Sequence, residues 1–175
     1  MTAQPYLEVL SSSECLDLLA TTTVARMAYC TNGEAHVFPV NALLRGDEVV
    51  IRTTYGGKLA AAAHGATMTI EADDLDPETR TGWVVNVTGP SRVVEDDDEV
   101  ALLELEPIEP WAPGDKPFFL GVAVDVVTGR RISLARGRGA PRGVDGLGRR
   151  AASTTGCVDD RLRRRQAERP ARPVA

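Results

Sequence analysis

A cluster of cationic and hydroxyl side chains lies in residues 51–59, which read Ile-Arg-Thr-Thr-Tyr-Gly-Gly-Lys-Leu. The chemistry that these groups suit is phosphate binding. Arg52 can donate paired hydrogen bonds to phosphate oxygens, and Lys58 adds a point charge. The hydroxyls of Thr53 and Thr54 are further donors. The competing interpretation is an ordinary strand end followed by a solvated lysine, since such junctions are common.

The positions of these groups depend on two local elements. β-branched residues before the cluster predict a strand over 49–54, and the alanine-rich run after two glycines predicts a helix over 58–64. A helix N-terminus adds unbonded backbone N–H groups and a partial positive charge. Strand alternation sends Arg52 and Thr54 to one face and Thr53 to the other. All three therefore line one pocket only if the strand ends in a twist or a bulge.

The remaining elements are mainly short β segments. Runs rich in β-branched residues predict strands over 23–30, 35–44, 49–54, 67–72, 83–94 and 118–134. The last is divided at Thr128-Gly129, and Gly89-Pro90 predicts a kink in the fifth. Asn32-Gly33 predicts a type I′ hairpin turn, and helices are predicted near 11–20, 58–64 and 96–106. Six short strands with small helices between them favour a mainly β barrel over a parallel sheet.

Six further segments surround the junction in a fixed order. They are Thr-Val-Ala-Arg-Met-Ala at 23–28, Phe-Pro-Val-Asn at 38–41, Thr-Arg-Thr-Gly-Trp at 79–83, Val-Thr-Gly at 87–89, Pro-Trp-Ala-Pro-Gly at 110–114 and Thr-Gly-Arg-Arg-Ile at 128–132. In this order, across residues 7–134, the chain resembles the pyridoxamine 5′-phosphate oxidase-like family of flavin-binding split barrels. It is most similar to the short actinobacterial-type branch that also contains nitroimidazole-resistance proteins. The resemblance implies a six-stranded antiparallel split β-barrel with short flanking helices, working as a homodimer with FMN as cofactor.

The resemblance also implies roles for individual residues. The family places a basic residue, here Lys58, against the flavin phosphate, beside the strand that carries Arg52. The segment that contains Asn41 runs beside the isoalloxazine ring in the family, although Ala42 replaces the aromatic residue that many members have next. Arg130 lies near the end of the last strand, where the family often brings residues to the site of the opposite subunit. A solvated strand end is the alternative for this arginine.

Trp83 and Trp111 are the two tryptophans of the chain. Each is a candidate to cover the flavin or the dimer seam, and each is equally a candidate for an ordinary core aromatic residue.

The sequence lacks the motifs of nucleophilic catalysis, such as a Gly-x-Ser-x-Gly elbow or a Walker loop. This fits a redox protein whose cofactor supplies the chemistry. We expect two-electron transfer between a reduced nicotinamide or deazaflavin, FMN and a small-molecule acceptor. The alternatives are a deazaflavin-dependent reductase on the same barrel, or a non-enzymatic flavin- or haem-binding protein, in which His36 or His64 would have to supply the axial ligand.

Composition excludes several other classes. The two histidines and three cysteines have no metal-ligand spacing, so we expect no metal. No apolar run approaches the roughly 20 residues of a membrane span, and residues 1–8 lack the basic region and apolar stretch of a signal peptide. We therefore expect a cytoplasmic protein without a membrane partner.

The net charge of −5 is unevenly distributed along the chain. Residues 136–175 contain 11 Arg and 4 Asp or Glu, a balance of +7, whereas residues 1–135 have 9 Lys or Arg and 21 Asp or Glu, a balance of −12. This tail is rich in Gly, Pro and Arg and poor in large apolar residues, which predicts disorder. We expect a flavin-binding domain over 1–135 and a tail dispensable for folding. The tail has no aromatic residues on which bases could stack, so we expect no nucleic-acid partner.

Overall fold

Eight strands and three helices make up residues 4–134, the part of the chain that the computed structural model describes. The strands are β1 Pro5–Val9, β2 Val24–Thr31, β3 Glu34–Arg45, β4 Glu48–Thr53, β5 Thr67–Asp76, β6 Thr81–Val93, β7 Phe118–Ala123 and β8 Val126–Leu134. The helices are α1 Ser12–Ala20, α2 Gly57–Ala63 and α3 Asp97–Leu103.

Six of the strands close into an antiparallel barrel. The order is β6-β5-β2-β3-β4-β7, and β7 pairs again with β6 to complete the ring. β8 continues the sheet from β6, and β1 pairs with the far side of β8. The predicted mainly β, six-stranded split barrel with short flanking helices is therefore confirmed.

β6 is the strand at which the barrel splits. Its first part, from Gly82 to Thr88, pairs with β8, whereas Ser91 to Val93 pair with β7. The change of partner falls at the Gly89-Pro90 step, where the sequence predicts a kink. One strand thus serves both the closed barrel and the sheet that extends beyond it.

Strand alternation determines which side chains form the core. One face of each barrel strand is apolar and points inward, and these side chains form the main cluster, with Met27, Ile51, Met68, Ile70 and Leu120 completely buried. A second cluster lies on the outer face of β4 and β7, beneath α3. A third lies between α1 and the extended sheet. The helices therefore cover parts of the barrel rather than forming a layer of their own.

Two predictions that depend on only a few neighbouring residues, a hairpin turn and a helix cap, are confirmed. Asn32 and Gly33 both have positive φ, 52° and 78°, as a type I′ turn requires. The side chains of Ser11 and Glu14 form the predicted capping box at the start of α1.

Several bounds differ from the prediction. β5 runs to Asp76 rather than to 72 and so includes part of the predicted polar loop. β1 lies outside the predicted strands, because it has only five residues and its apolar side chains Leu7 and Val9 are exposed rather than part of the core. β8 runs unbroken through Thr128-Gly129, and the division between β7 and β8 falls instead at Val124-Asp125. α3 ends at Leu103 rather than at 106.

The predicted domain boundary after residue 135 and the predicted tail at 136–175 lie outside the described residues. Among residues 4–134, no helix has the length and apolar character needed to cross a membrane.

An ion network fastens α3 to the barrel. Arg92 of β6 donates two hydrogen bonds of 2.6 Å to the carboxylate of Glu48 in β4. It donates two more, of 3.0 and 2.6 Å, to the carboxylate of Glu99 in α3. These bonds to Arg92 hold the pKa of Glu99 below its ordinary value of 4.5.

We expect the substitution Glu99→Gln to lower the free energy of unfolding by roughly 0.2–1 kcal/mol near neutral pH, the range of exposed ion pairs. Because the folded-state pKa of Glu99 is lowered, its contribution is full above the unfolded-state pKa and disappears as the pH falls through the folded-state value. Urea unfolding at several pH values measures this. The difference from the unsubstituted protein should shrink on acidification.

Glu95→Gln is the matched control, because Glu95 is exposed and forms no ion pair among residues 4–134. A Glu99→Gln difference that stayed constant across the acidic range would remove the Arg92 bonds as its cause.

Candidate functional site

The mouth of the barrel where β4 ends carries one lysine and several aromatic rings. Thr53 ends β4 as a buried residue, and the ring of Tyr55 packs edge-on against Phe118, with 4.5 Å between ring centroids. Lys58 is the second residue of α2, and its Nζ lies 4.6 Å from the ring centroid of Phe38 in β3. The lysine is half-buried at the edge of this mouth.

The aromatic side of the mouth comes from the hairpin of β2 and β3. Residues 34–41 of β3 pair with β2, whereas pairing with β4 begins only at Ala42. Phe38 lies on the same face of β3 as the core residues Val40 and Ala42. Its ring stacks with His36, and both stack with Tyr29, at centroid distances of 5.3–6.3 Å. The core face of the hairpin thus continues beyond the barrel as an aromatic wall.

Two glycines set α2 against this wall. Gly56 has a φ of 150°, a conformation that favours glycine. A Cβ at Gly57 would lie 2.9 Å from the phenol oxygen of Tyr29, so the start of α2 packs closely against that hydroxyl group. With seven residues, α2 has only a small dipole, and the side-chain cations must supply most of the attraction for an anion.

The charge at this end of the barrel is positive and unpaired. Burial lowers the pKa of Lys58, and the nearby charge of Lys116 lowers it further. Among residues 4–134, the charged groups of Lys58, Lys116 and Arg52 have no carboxylate oxygen within 4.0 Å. Desolvated cations without counterions stabilise a bound anion, so this region fits a phosphate or carboxylate group.

Arg52 and Thr53 face opposite sides of β4, as alternation predicts. Arg52 shares its face with Val50, and its Cζ lies 5.1 Å from the ring centroid of Phe119. Its Nε donates to the backbone oxygen of Lys116 at 2.8 Å. The guanidinium therefore lies on the outer face of β4, and Lys116 connects it to the barrel mouth. Thr54 follows the strand as an exposed residue.

Asn41 and Trp111 are brought together by a hydrogen bond. The backbone N–H of Trp111 donates to Oδ1 of Asn41 at 3.0 Å, and Nδ2 of Asn41 donates to the oxygen of Thr23 at 3.4 Å. The indole of Trp111 is 76% exposed. Asn41 thus anchors the segment between α3 and β7, and Lys116 bonds the carbonyl oxygens of that same segment.

Trp83 and Arg130 lie on β6 and β8, two strands that pair with each other. Trp83 packs against the cluster that contains Leu10 and Cys15, between α1 and the sheet. Arg130 is on β8, where its Nη1 donates to the oxygen of Gly129 at 2.9 Å. Their proposed contacts with a cofactor stay predictions.

The sequence did not assign four residues of this region to a flavin site: Lys116, Phe38, Tyr55 and His36, the last of which was considered only as a haem ligand. Phe38 lies within the Phe-Pro-Val-Asn segment, and its place two residues before a buried valine is a signal for the core face. Lys116 follows the Pro-Trp-Ala-Pro-Gly segment, and nothing local indicates that it approaches Lys58.

Within residues 4–134, no group of three or more His, Cys, Asp or Glu side chains is arranged to hold a metal ion.

Comparison with known proteins identifies the family. The sequence model of the family described as pyridoxamine 5′-phosphate oxidase matches residues 11–131. An uncharacterized protein of Mycobacterium tuberculosis is 33% identical over 128 residues, which are 70% of this chain and 84% of that protein. The structure of an FAD binding protein from Mycobacterium smegmatis is 33% identical with a TM-score of 0.58, covering 70% of this chain and 95% of that one. A candidate pyridoxamine 5′-phosphate oxidase from Corynebacterium glutamicum is 26% identical with a TM-score of 0.63, covering 72% and 98%. The chain belongs to the pyridoxamine 5′-phosphate oxidase-like family of split barrels.

Proposed function

We propose that the barrel mouth binds a flavin nucleotide, with its phosphate against Lys58. The observation that carries this proposal is the set of cations without carboxylate partners beside an aromatic wall. Family membership supports it, as does the relative from Mycobacterium smegmatis, which is described as an FAD binding protein.

The residues at the mouth fit both parts of FMN. Lys58 and the exposed hydroxyl of Thr54 would hold the phosphate, and the charge of Lys116 would add to the attraction. Phe38 and Tyr55 present exposed ring surface beside them, which suits a planar ring system. Thr53, Asn41, Trp83, Trp111 and Arg130 stay predicted cofactor contacts. The predicted contact of Arg52 with the phosphate is not part of this proposal, because its guanidinium lies on the outer face of β4.

The reaction that we propose is two-electron transfer between a reduced nicotinamide or deazaflavin and a small-molecule acceptor, with FMN as the carrier. Bound FMN would supply the redox chemistry. The protein would bind and orient the reactants, and the half-buried position of Lys58 at the mouth restricts its access to water.

Two alternatives have less support. The cofactor of a deazaflavin-dependent reductase has a polyglutamate tail that would favour an additional basic groove. Residues 1–135 instead have a net charge of −12, which disfavours such a groove. Haem binding would require an axial histidine. His36 is stacked against both Tyr29 and Phe38, and Nδ1 of His64 is hydrogen-bonded to the oxygen of Ala60.

Titration of the purified full-length protein with FMN, FAD, a deazaflavin and haemin tests these possibilities side by side. We expect the flavin absorption bands to shift on binding, with a stronger response to FMN than to the deazaflavin or haemin. A protein that binds none of the four would overturn the proposal, and preference for the deazaflavin or haemin would select that alternative.

We also propose that the protein is a homodimer. Apolar side chains cover the outer face of β1 and β8, where Leu7 pairs with Ile132 and Val9 with Arg130. Leu7 and Val9 are 64% and 68% exposed. An apolar sheet face of this kind is typical of a contact with another chain. Arg130 lies on the same face, so a second copy of the chain that docks there would lie close to Arg130. This is the position that the family resemblance implies for this residue.

Light scattering at micromolar concentration is expected to give twice the mass of one chain, and Leu7→Glu should shift the protein towards monomer because it buries a charge at the contact. Leu102→Glu is the matched control, since Leu102 is an exposed leucine of α3, away from this face. An unsubstituted protein that stayed monomeric with flavin bound would contradict the proposed dimer.

A further inference from the structure

A second concave region lies on the outer face of β4, on the side opposite Thr53. It is a cleft of about 310 Å³ lined by Arg52, Glu106, Pro107, Ile108, Glu109 and Pro110. Its residues come from β4 and from the segment that follows α3. The volume lies at the lower end of small-molecule sites, about 300–1,000 Å³, which suits a ligand much smaller than a dinucleotide.

Arg52 is held in a defined orientation at this cleft. Its Nε donates to the backbone oxygen of Lys116 at 2.8 Å, and its Cζ lies 5.1 Å from the ring centroid of Phe119. Its two Nη atoms have no hydrogen-bond partner within residues 4–134, and no carboxylate there lies within 4.0 Å of the guanidinium. A half-buried guanidinium with two unused nitrogens matches the paired oxygens of a carboxylate.

The same cleft contains two carboxylates. Oε1 of Glu106 lies 3.8 Å from Nε of Arg45, a long contact. Glu109 is exposed and forms no ion pair within the described part of the chain. A simple anion at Arg52 would therefore be repelled by these glutamates, and a simple cation at Glu109 would be repelled by Arg52.

We propose that this cleft binds a small zwitterion, with the ligand carboxylate on Arg52 and the ligand ammonium group on Glu109. Ile108 and the two prolines offer apolar surface to the short hydrocarbon between the two charges. The site is separate from the mouth at Lys58 and requires no bound flavin.

Calorimetry on the full-length protein tests the proposal with glycine, β-alanine and 4-aminobutyrate, which differ only in the spacing of their charges. We expect at least one to bind with millimolar affinity or better. Propionate and propylamine, which each carry one of the two charges, should bind about tenfold more weakly or not at all. Failure of all three zwitterions, or equal binding of propionate, would overturn the proposal.

Substitutions assign the two contacts. Arg52→Gln should weaken zwitterion binding about tenfold or more, as expected for a lost charge-assisted pair. Arg80→Gln, which removes the same charge from an exposed turn between β5 and β6, should have no effect. Glu109→Gln, at an exposed position, should weaken zwitterion binding because it removes the partner of the ammonium group. It should strengthen propionate binding because it removes a repelling negative charge. If Arg52→Gln instead reduced flavin affinity and left zwitterion binding unchanged, the guanidinium would belong to the flavin site and the second site would be wrong.

Discussion

Replacement of Lys58 by alanine is expected to weaken FMN binding about tenfold or more, because a charge-assisted hydrogen bond to phosphate contributes roughly 1.5–3 kcal/mol. The free protein should not be destabilised by the loss of this charge. Burial and the charge of Lys116 both disfavour the charged form of Lys58, as the lowered pKa shows. A bound phosphate would reverse that penalty. Flavin titration and urea unfolding of the free protein measure the two effects separately.

Lys58→Arg is the matched control, because it keeps the charge and should retain most of the affinity. Unchanged FMN affinity in Lys58→Ala would remove Lys58 from the site. A loss of affinity accompanied by a large loss of stability in the free protein would point instead to a structural role for the lysine over Phe38.

The barrel could be predicted from the sequence because its strands carry their own signals. β-branched runs mark β2 to β8, and the Asn32-Gly33 turn fixes the first hairpin of the barrel. β1 could not be predicted, because pairing with β8 stabilises it and its own side chains are mostly exposed. The closure of β6 on β7 also depends on pairing between segments that are distant along the chain.

The candidate site was predictable where residue type and alternation decide the outcome. The sequence indicates Lys58 because it is a cation that directly follows two glycines. The opposite faces of Arg52 and Thr53 follow from strand alternation. The approach of Lys116 to Lys58 could not be predicted, since it depends on the path of the segment between α3 and β7. The bond between Trp111 and Asn41, which are 70 residues apart, has the same origin.

At the split in β6, we expect Gly89→Ala to cause a large loss of stability, about 3 kcal/mol in the free energy of unfolding. The added Cβ would overlap the carbonyl oxygen of Ala123 and lie 2.9 Å from its carbon. Both are backbone atoms at the end of β7, so no side-chain rotation relieves the contact. Forced overpacking of this kind costs roughly 1–3 kcal/mol, and here the pairing of Ser91 with Val122 must also shift.

Gly33→Ala is the matched control for this substitution. Gly33 has a φ of 78° and no atom within 4 Å of an added Cβ, so its cost is the backbone conformation alone, about 1 kcal/mol. Urea unfolding should give Gly89→Ala a free energy of unfolding well below that of Gly33→Ala. If both variants unfold in one step, this free energy should decrease with urea concentration at a similar slope in the two. Since β7 begins at Phe118, which packs against Tyr55 at the barrel mouth, Gly89→Ala should also weaken flavin binding. Equal stability of the two variants would mean that the barrel accommodates a side chain at the split. The close backbone contact between Gly89 and Ala123 would then not be required for the pairing of β6 with β7.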